Sequence, residues 1–245
     1  MKIIIAGYGN VGKKLTEYSI KNNYETIILS RKKIRKKNVT FLSADDLLDI
    51  KDLDNFFLIS TIPPYNNDDY LLKKIKNEIL KKFKKVIYIS ATSVYPSGIV
   101  DEMSKISKLS NKRNLRFQIE NNWKKISKKV FILRSGGIYS PENNIMKRYL
   151  SSDHKLIYKK NHFINRIHIE DLVGITFEVL KSNIKSRIIN AVDKKPYNTF
   201  ELVKYICTEL DLPKPKKLNY TDRNVTPQLR FFYEVSKIVK SVVIN

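Results

Sequence analysis

The sequence contains a single cysteine, Cys207, so no internal disulfide can form. Nothing therefore indicates an oxidising compartment. The chain also lacks any apolar run near the roughly 18 residues that a membrane-spanning helix requires. The apolar run that begins at Met1 is too short for the core of a signal peptide. We therefore expect a cytoplasmic protein that has no membrane partner.

Acidic residues are scarce relative to basic ones. The chain has 47 lysines and arginines against 24 acidic residues, for a formal net charge of +23. One interpretation is a polyanionic partner such as nucleic acid. The alternative is a solvated basic surface, and two features favour it. The lysines are spread over the whole length, and the aromatic residues do not interleave with them as they do in single-strand binders. We therefore expect no nucleic-acid partner.

Apolar residues are sufficient for a core, since they make up 42% of 245 residues, and an aromatic share of 11% argues against disorder. Several short segments are apolar at nearly every position. This pattern is typical of parallel strands that are covered on both faces. The predicted strands are Lys2–Ala6, Glu25–Leu29, Val39–Leu42, Phe56–Thr61, Lys85–Ser90, Val130–Leu133 and Ile188–Val192.

Helical patterns separate these strands. They cover Val11–Ile20, Tyr70–Phe83, Leu115–Ile126, Asp171–Leu180 and Thr199–Leu210, the last with Asn198 or Thr199 as its N-cap. Asp211–Lys217 contains two prolines and is predicted to be a loop. The alternation of strands and helices predicts an α/β protein with a doubly wound parallel sheet, the Rossmann fold, in a single domain over residues 1–245.

Glycine is rare, yet three of the seven glycines fall at Gly7, Gly9 and Gly12, between the first strand and the first helix. In this context Gly7 permits a tight turn, Gly9 lets the backbone approach a pyrophosphate, and Gly12 allows close packing of helix and strand. The alternative is a plain turn. The motif predicts a dinucleotide site formed by Gly7, Tyr8, Gly9, Asn10, Val11 and Gly12.

The end of the second predicted strand indicates which dinucleotide is bound. An NAD site carries an acidic residue there to accept hydrogen bonds from the ribose. This chain instead has Ser30, Arg31 and Lys32. A guanidinium such as that of Arg31 can bind a 2′-phosphate through paired donors. We therefore predict NADP(H) in preference to NAD(H), with one more basic run in a basic protein as the alternative.

Three further segments, Tyr88–Tyr95, Leu133–Pro141 and Asn165–Val173, follow in this order. Together with the glycine motif they resemble the extended and atypical short-chain dehydrogenase/reductases, the NAD-dependent epimerase/dehydratase-like proteins, over about residues 1–235. The resemblance implies a small C-terminal substrate lobe from about residues 140–165 and 193–245, and it allows a homodimer. It also implies that Thr61, Ile62 and Pro63 line the cofactor.

The same resemblance implies a catalytic hydroxyl, a tyrosine and a lysine one helical turn later. The corresponding positions are Ala91, Lys112 and Arg116, and no tyrosine lies between residues 96 and 138. Thr92, Lys112 and Arg116 are therefore the catalytic candidates. Ser93 and Tyr95 lie beside them in sequence, and Tyr139 is a second hydroxyl candidate. The Tyr-x-x-x-Lys patterns at Tyr70/Lys74 and Tyr233/Lys237 are interpreted as chance matches.

The three histidines, His154, His162 and His168, lack the spacing of metal ligands, so no metal is expected. We expect His168 to be structural and Asp171 to cap the helix that follows it. The predicted function is that of an NADP(H)-binding oxidoreductase or epimerase/dehydratase acting on a small carbonyl or sugar-like substrate. Two alternatives remain open: a catalytically silent NADP(H)-binding regulatory or redox-sensing protein, and a polyanion-binding protein.

Overall fold

The computed structural model describes residues 1–31, 37–65, 68–106, 111–151 and 154–244, and the side chains of residues 111 and 112 lie outside this description. Its strands are β1 (Lys2–Ala6), β2 (Glu25–Leu29), β3 (Thr40–Leu42), β4 (Phe56–Ser60), β5 (Lys85–Ala91), β6 (Gly98–Val100), β7 (Val130–Ser135), β8 (Gly137–Tyr139), β9 (Lys155–Tyr158), β10 (Arg166–His168), β11 (Ile188–Ala191), β12 (Lys216–Asn219) and β13 (Lys237–Val239).

The helices alternate with these strands. They are α1 (Asn10–Lys21), α2 (Tyr70–Lys74), α3 (Asn77–Lys82), α4 (Asn111–Ile126), α5 (Ile145–Leu150), α6 (Ile169–Lys181), α7 (Thr199–Glu209) and α8 (Pro227–Glu234). Short 3-10 segments cover Asp45–Asp49, Leu53–Asn55 and Thr92–Val94. No helix among the described residues has both the length and the apolar character needed to cross a bilayer.

Seven strands form a parallel sheet in the order β3-β2-β1-β4-β5-β7-β11. Strands β2 and β3 are added on one side of β1, and strands β4, β5, β7 and β11 are added in turn on its other side. The strand order therefore reverses between β1 and β4, and a crevice opens there at the carboxyl ends of the strands. This arrangement confirms the predicted doubly wound α/β fold.

The central strands are apolar throughout because both faces of the sheet are covered. On β1, Ile4 packs into one hydrophobic cluster, which also contains Trp123 of α4. Its neighbours Ile3 and Ile5 point to the opposite face and pack with Phe177 of α6. Successive residues of a strand alternate between faces, so a strand buried on both sides needs apolar residues at every position.

Two secondary-structure predictions were wrong. The segment Tyr70–Phe83 is not one helix, since α2 ends before Ile75, which has an extended backbone, and α3 begins at Asn77. Ile75 and Phe83 are nevertheless buried, so their spacing marked core positions and not one continuous helix. The segment Asp211–Lys217 is not entirely a loop, because its last two residues belong to β12, which pairs with β9.

The cap of α6 also differs from the prediction. His168, and not Asp171, is the N-cap: the Nδ1 atom of His168 accepts a hydrogen bond from the backbone N–H of Glu170 at 3.4 Å. Strand β10 ends at His168 and the helix begins at the next residue, so Asp171 falls inside the first turn. There its carboxylate faces the positive end of the helix dipole. In α7 the predicted cap is confirmed as Asn198.

Smaller clusters lie outside the two layers that cover the sheet. Tyr149 of α5 packs with Val203 and Cys207 of α7. Ile157 of β9 packs with Tyr233 of α8 in a second small cluster. All of these elements follow β8 in the chain, and α5 and α7 contribute residues to the pocket described below.

Candidate functional site

The glycine motif forms a tight turn between β1 and α1. Gly7 has a φ of +97°, and a Cβ atom placed on it would lie 2.7 Å from Oγ1 of Thr61. A Cβ on Gly12 would lie 2.0 Å from the carbonyl oxygen of Gly7. Both positions therefore require glycine, the first for its conformation and the second for the closeness of helix and strand.

Gly9 differs from its two neighbours because the space around it is open. A Cβ on Gly9 would meet no atom of the described chain within 4 Å. Gly9 is the N-cap of α1, no side chain caps the helix, and its first turn contains no acidic residue. An uncapped helix N-terminus has free amide groups and the positive end of the helix dipole, which are features of an anion site.

The residues that follow β4 stand beside this turn. The hydroxyl of Thr61 lies 3.0 Å from the carbonyl oxygen of Ala6 and 3.3 Å from that of Gly7, so it donates to the turn itself. Ile62 also approaches Gly7, at 3.1 Å from the Cβ position. Pro63 follows and is exposed. Thr61 therefore braces the glycine turn, and the contact of Thr61, Ile62 and Pro63 with a cofactor stays a prediction.

The other flank of the glycine turn is formed by β2 and β3. The Tyr8 ring meets the Phe41 ring edge-on, with centroids 5.3 Å apart. The N–H of Ser30 donates to the carbonyl of Leu42 at 3.0 Å, and Arg31 follows with an exposed side chain. Lys32 lies outside the described residues. Ser30 and Arg31 thus lie at the carboxyl end of β2, the position at which the prediction of NADP(H) places the 2′-phosphate.

The catalytic candidates lie at the ends of β5 and α4. Thr92 begins a 3-10 turn directly after β5 and is buried, at 7% exposure. Arg116 is half-buried in α4, and Lys112 belongs to the first turn of that helix, with a side chain outside the described part. Tyr95 is fully buried, and its hydroxyl donates to Oδ1 of Asn190 at 2.9 Å. Tyr95 is therefore an interior residue and does not face the crevice.

The two remote Tyr-x-x-x-Lys patterns differ in their surroundings. Tyr70 and Lys74 share the short helix α2. Tyr233 lies in α8, whereas Lys237 lies in β13, so this pair does not occupy one turn of a helix.

A buried polar network lies behind the catalytic candidates. The guanidinium of Arg134 on β7 donates to both carboxylate oxygens of Glu120 on α4, with a shortest distance of 2.6 Å. Ser90 of β5 donates to the same carboxylate at 2.6 Å. Burial opposes the charge of Arg134, but the ion pair outweighs it and raises the pKa of the guanidinium. This network fixes α4 against the strand ends.

The local sequence pattern did not predict this network. Its available signal was Arg134, a charged residue directly after a wholly apolar strand segment, which requires a buried partner. That partner, Glu120, lies in a helix fourteen positions earlier, and only the packing of α4 brings it into contact.

A pocket of about 530 Å³ opens beyond β8 and β11. It is lined by Tyr139, Ser140, Pro141, Asn144, Ile145, Met146, Arg166, His168, Asp193, Tyr197, Leu202 and Ile206. The rings of Tyr139 and His168 meet at 5.2 Å. Burial, together with the nearby carboxylate of Asp193, raises the pKa of the Tyr139 hydroxyl.

The pocket and the glycine turn lie on the same side of the sheet. Ile138 of β8 packs in one hydrophobic cluster with Tyr8 and Val11 of the glycine motif. A hydrogen bond from Ser140 lowers the pKa of Glu142, and the charge of Lys14 in α1 adds a smaller effect in the same direction.

Comparisons with known proteins identify similar folds. No family model matches the sequence, and no curated protein matches it. Among solved structures, a functionally unknown conserved protein from Silicibacter pomeroyi DSS superposes with a TM-score of 0.86 at 22% identity, over 98% of this chain and 89% of that one.

Two further structures are named as enzymes or epimerase-family proteins. The human epimerase family protein SDR39U1, in complex with NADPH, gives a TM-score of 0.74 at 18% identity over 99% of this chain and 91% of that one. UDP-glucuronic acid 4-epimerase from Bacillus cereus, in complex with NAD, gives a TM-score of 0.73 at 18% identity, over 99% of this chain and 90% of that one. The chain thus shares the fold of these nucleotide-binding structures, which agrees with the Rossmann fold that its sequence predicted.

Proposed function

We propose that this protein binds NADP(H) at the carboxyl edge of its sheet and acts as an oxidoreductase or epimerase/dehydratase on a small carbonyl or sugar-like molecule. The observation that carries the proposal is the contrast among the three glycines. Gly7 and Gly12 are enclosed, whereas Gly9 faces open space at an uncapped helix N-terminus. A pyrophosphate has the charge and the oxygen acceptors that this turn requires.

The residues present fit such a cofactor. The first-turn amides of α1 would hold the pyrophosphate, and Thr61 would keep the glycine turn in shape through its bonds to Ala6 and Gly7. Arg31 would hold a 2′-phosphate by paired hydrogen bonds. A bound nicotinamide supplies the hydride donor or acceptor for the reaction. The similar structures that contain NADPH or NAD support this choice of ligand class.

The substrate would lie in the pocket lined by Tyr139. The Tyr139 hydroxyl is protonated at neutral pH, as tyrosine normally is, so it can donate a hydrogen bond or a proton to a carbonyl oxygen. Lys112 and Arg116, at two of the positions that the family motif assigns to catalysis, and Thr92, beside the third, remain the catalytic candidates. We propose that Arg116, whose charge is permanent, binds the cofactor ribose or phosphate and does not transfer protons.

The test compares Gly9→Ala with the wild-type protein in fluorescence titrations with NADPH. A Cβ at position 9 meets no atom of the described protein, so the fold is expected to keep its thermal stability. The methyl group would occupy the space that the pyrophosphate needs, and NADPH affinity is expected to fall by about tenfold or more, the equivalent of 1.4 kcal/mol. Unchanged affinity in a stably folded variant would contradict the proposed binding site.

A second candidate function is a catalytically silent NADP(H)-binding protein. It is favoured by the residues at the usual catalytic positions, Ala91, Lys112 and Arg116, and by the burial of Tyr95. Single-turnover mixing of the NADPH-bound protein with a panel of small carbonyl compounds distinguishes the two. Oxidation that is abolished by Tyr139→Phe supports an enzyme, whereas binding without oxidation of any compound supports the silent protein.

A further inference from the structure

Arg166 lies in the wall of the pocket, and its buried side chain forms no ion pair with any described residue. Arg166 is 8% exposed, and its Nε atom makes no hydrogen bond within the described structure. No carboxylate of the described residues lies within 4.0 Å of it, and the ion pairs found there belong to other residues. An unpaired buried charge is costly, so this arrangement favours an additional anionic group at the site.

The charges around Arg166 do not neutralise it at short range. Burial and the nearby cation Arg148 lower the pKa of its guanidinium, against the weaker attraction of Tyr233, Tyr139 and Asp193. Asp193 also lines the pocket, and its own pKa is raised by burial and by Asp171. The backbone N–H of Asp193 donates to the carbonyl of Arg166, which fixes the main chains of the two residues together without pairing their side chains.

The remainder of the pocket is largely apolar. Ile145 and Met146 of α5 form one part of the wall, and Leu202 and Ile206 of α7 form another. The cavity of about 530 Å³ is far larger than a lone phosphate or carboxylate needs, and it has the size of ordinary small-molecule sites. The combination of an aliphatic wall and one buried cation matches a ligand that has an apolar body and an anionic head group.

We propose that this pocket binds an amphipathic anion, whose carboxylate or phosphate head pairs with Arg166 and whose apolar body lies against α5 and α7. The inference rests on the proposed function only for the role of this ligand as the substrate. A guanidinium offers paired donors to either head group, so both share the recognition chemistry. The aliphatic wall contributes affinity by burial of apolar surface.

Calorimetric titrations of the full-length protein test the proposal with octanoate, octyl phosphate and 1-octanol as probes. We expect at least one of the two anionic probes to bind about tenfold or more tightly than 1-octanol. In the Arg166→Gln variant this preference should disappear, whereas Arg166→Lys, which keeps the charge, should retain part of it. Comparison of the two anionic probes identifies the preferred head group.

The matched control is Arg223→Gln, which removes one exposed positive charge away from the pocket. It should leave the binding of all probes unchanged, and this separates the pocket from general attraction to a chain of net charge +23. Equal affinity for 1-octanol and both anionic probes, or equal affinity of the wild type and a folded Arg166→Gln variant for the anionic probes, would overturn the proposal. NADPH titrations of the same samples report independently on the cofactor site.

Discussion

Arg134 and Glu120 form an ion pair in the interior, with 2.6 Å between Nη2 of the arginine and Oε2 of the glutamate and at most 1% exposure of either side chain. The pair joins α4 to β7, and the ring of Tyr95 stacks on the guanidinium at 4.8 Å. Because Ser90 donates to the same carboxylate, three elements meet at one buried charge. The positions of Thr92 and Arg116 depend on this junction.

Removal of one partner of this pair should strongly destabilise the protein. Glu120→Gln leaves a buried guanidinium without its countercharge, and we expect the free energy of unfolding to fall by about 3–5 kcal/mol. Urea denaturation measures this loss. The control is Glu178→Gln, which breaks an exposed pair with Lys181 and should cost less than about 1 kcal/mol.

The double replacement Glu120→Leu with Arg134→Met provides a second check. Because both charges leave the interior together, the double variant should be more stable than Glu120→Gln alone. If the single and double variants lose equal stability, the interpretation as a compensated buried pair is wrong.

Substitution of Arg31 should change the choice between the two dinucleotides. In Arg31→Ala we expect the ratio of NADPH affinity to NADH affinity to fall by about tenfold or more, because a charge-assisted contact with the 2′-phosphate is lost. NADH affinity should change little. Fluorescence titration with both cofactors measures the ratio, and Arg223→Ala controls for the loss of one exposed charge. An unchanged ratio would remove the assignment of NADP(H).

Lys237 should make stability depend on pH in the alkaline range. Burial, with a smaller effect of the Arg113 charge, lowers its pKa from 10.5 to about 8. The unfolded chain therefore takes up this proton more readily than the folded protein between pH 8 and pH 10.5. The resulting destabilisation is absent above pH 10.5, grows as the pH falls, and is complete below pH 8, where it reaches about 3 kcal/mol at most.

Lys237→Met removes this group and keeps an unbranched side chain. We expect the variant to be more stable than the wild type at pH 7 and equally stable near pH 10.5, as measured by urea unfolding across this range. The exposed Lys240→Met serves as the control for loss of a lysine and should show no such trend. A stability difference that does not vary with pH would contradict the burial of a titrating amine.

Much of the fold follows from local patterns. The seven strands of the sheet were predicted within two residues of their observed ends, since a strand covered on both faces must be apolar along its length. The glycine turn could also be predicted from the sequence, because the steric requirements of Gly7 and Gly12 arise within one turn and its flanking strand. The interruption of the helix at Ile75 could not be predicted from the sequence. Ile75 is buried with an extended backbone, and its spacing from other apolar residues would be the same in a continuous helix.

The amino-acid sequence alone determined the parallel sheet, the glycine turn and the absence of the usual catalytic tyrosine, since these depend on residue type and near neighbours. Tertiary structure decided the partner of Glu120, the burial of Lys237 and the unpaired state of Arg166. The energy of a charged side chain depends on its solvation and on groups from distant segments. Those groups are brought together only when helices and strands pack.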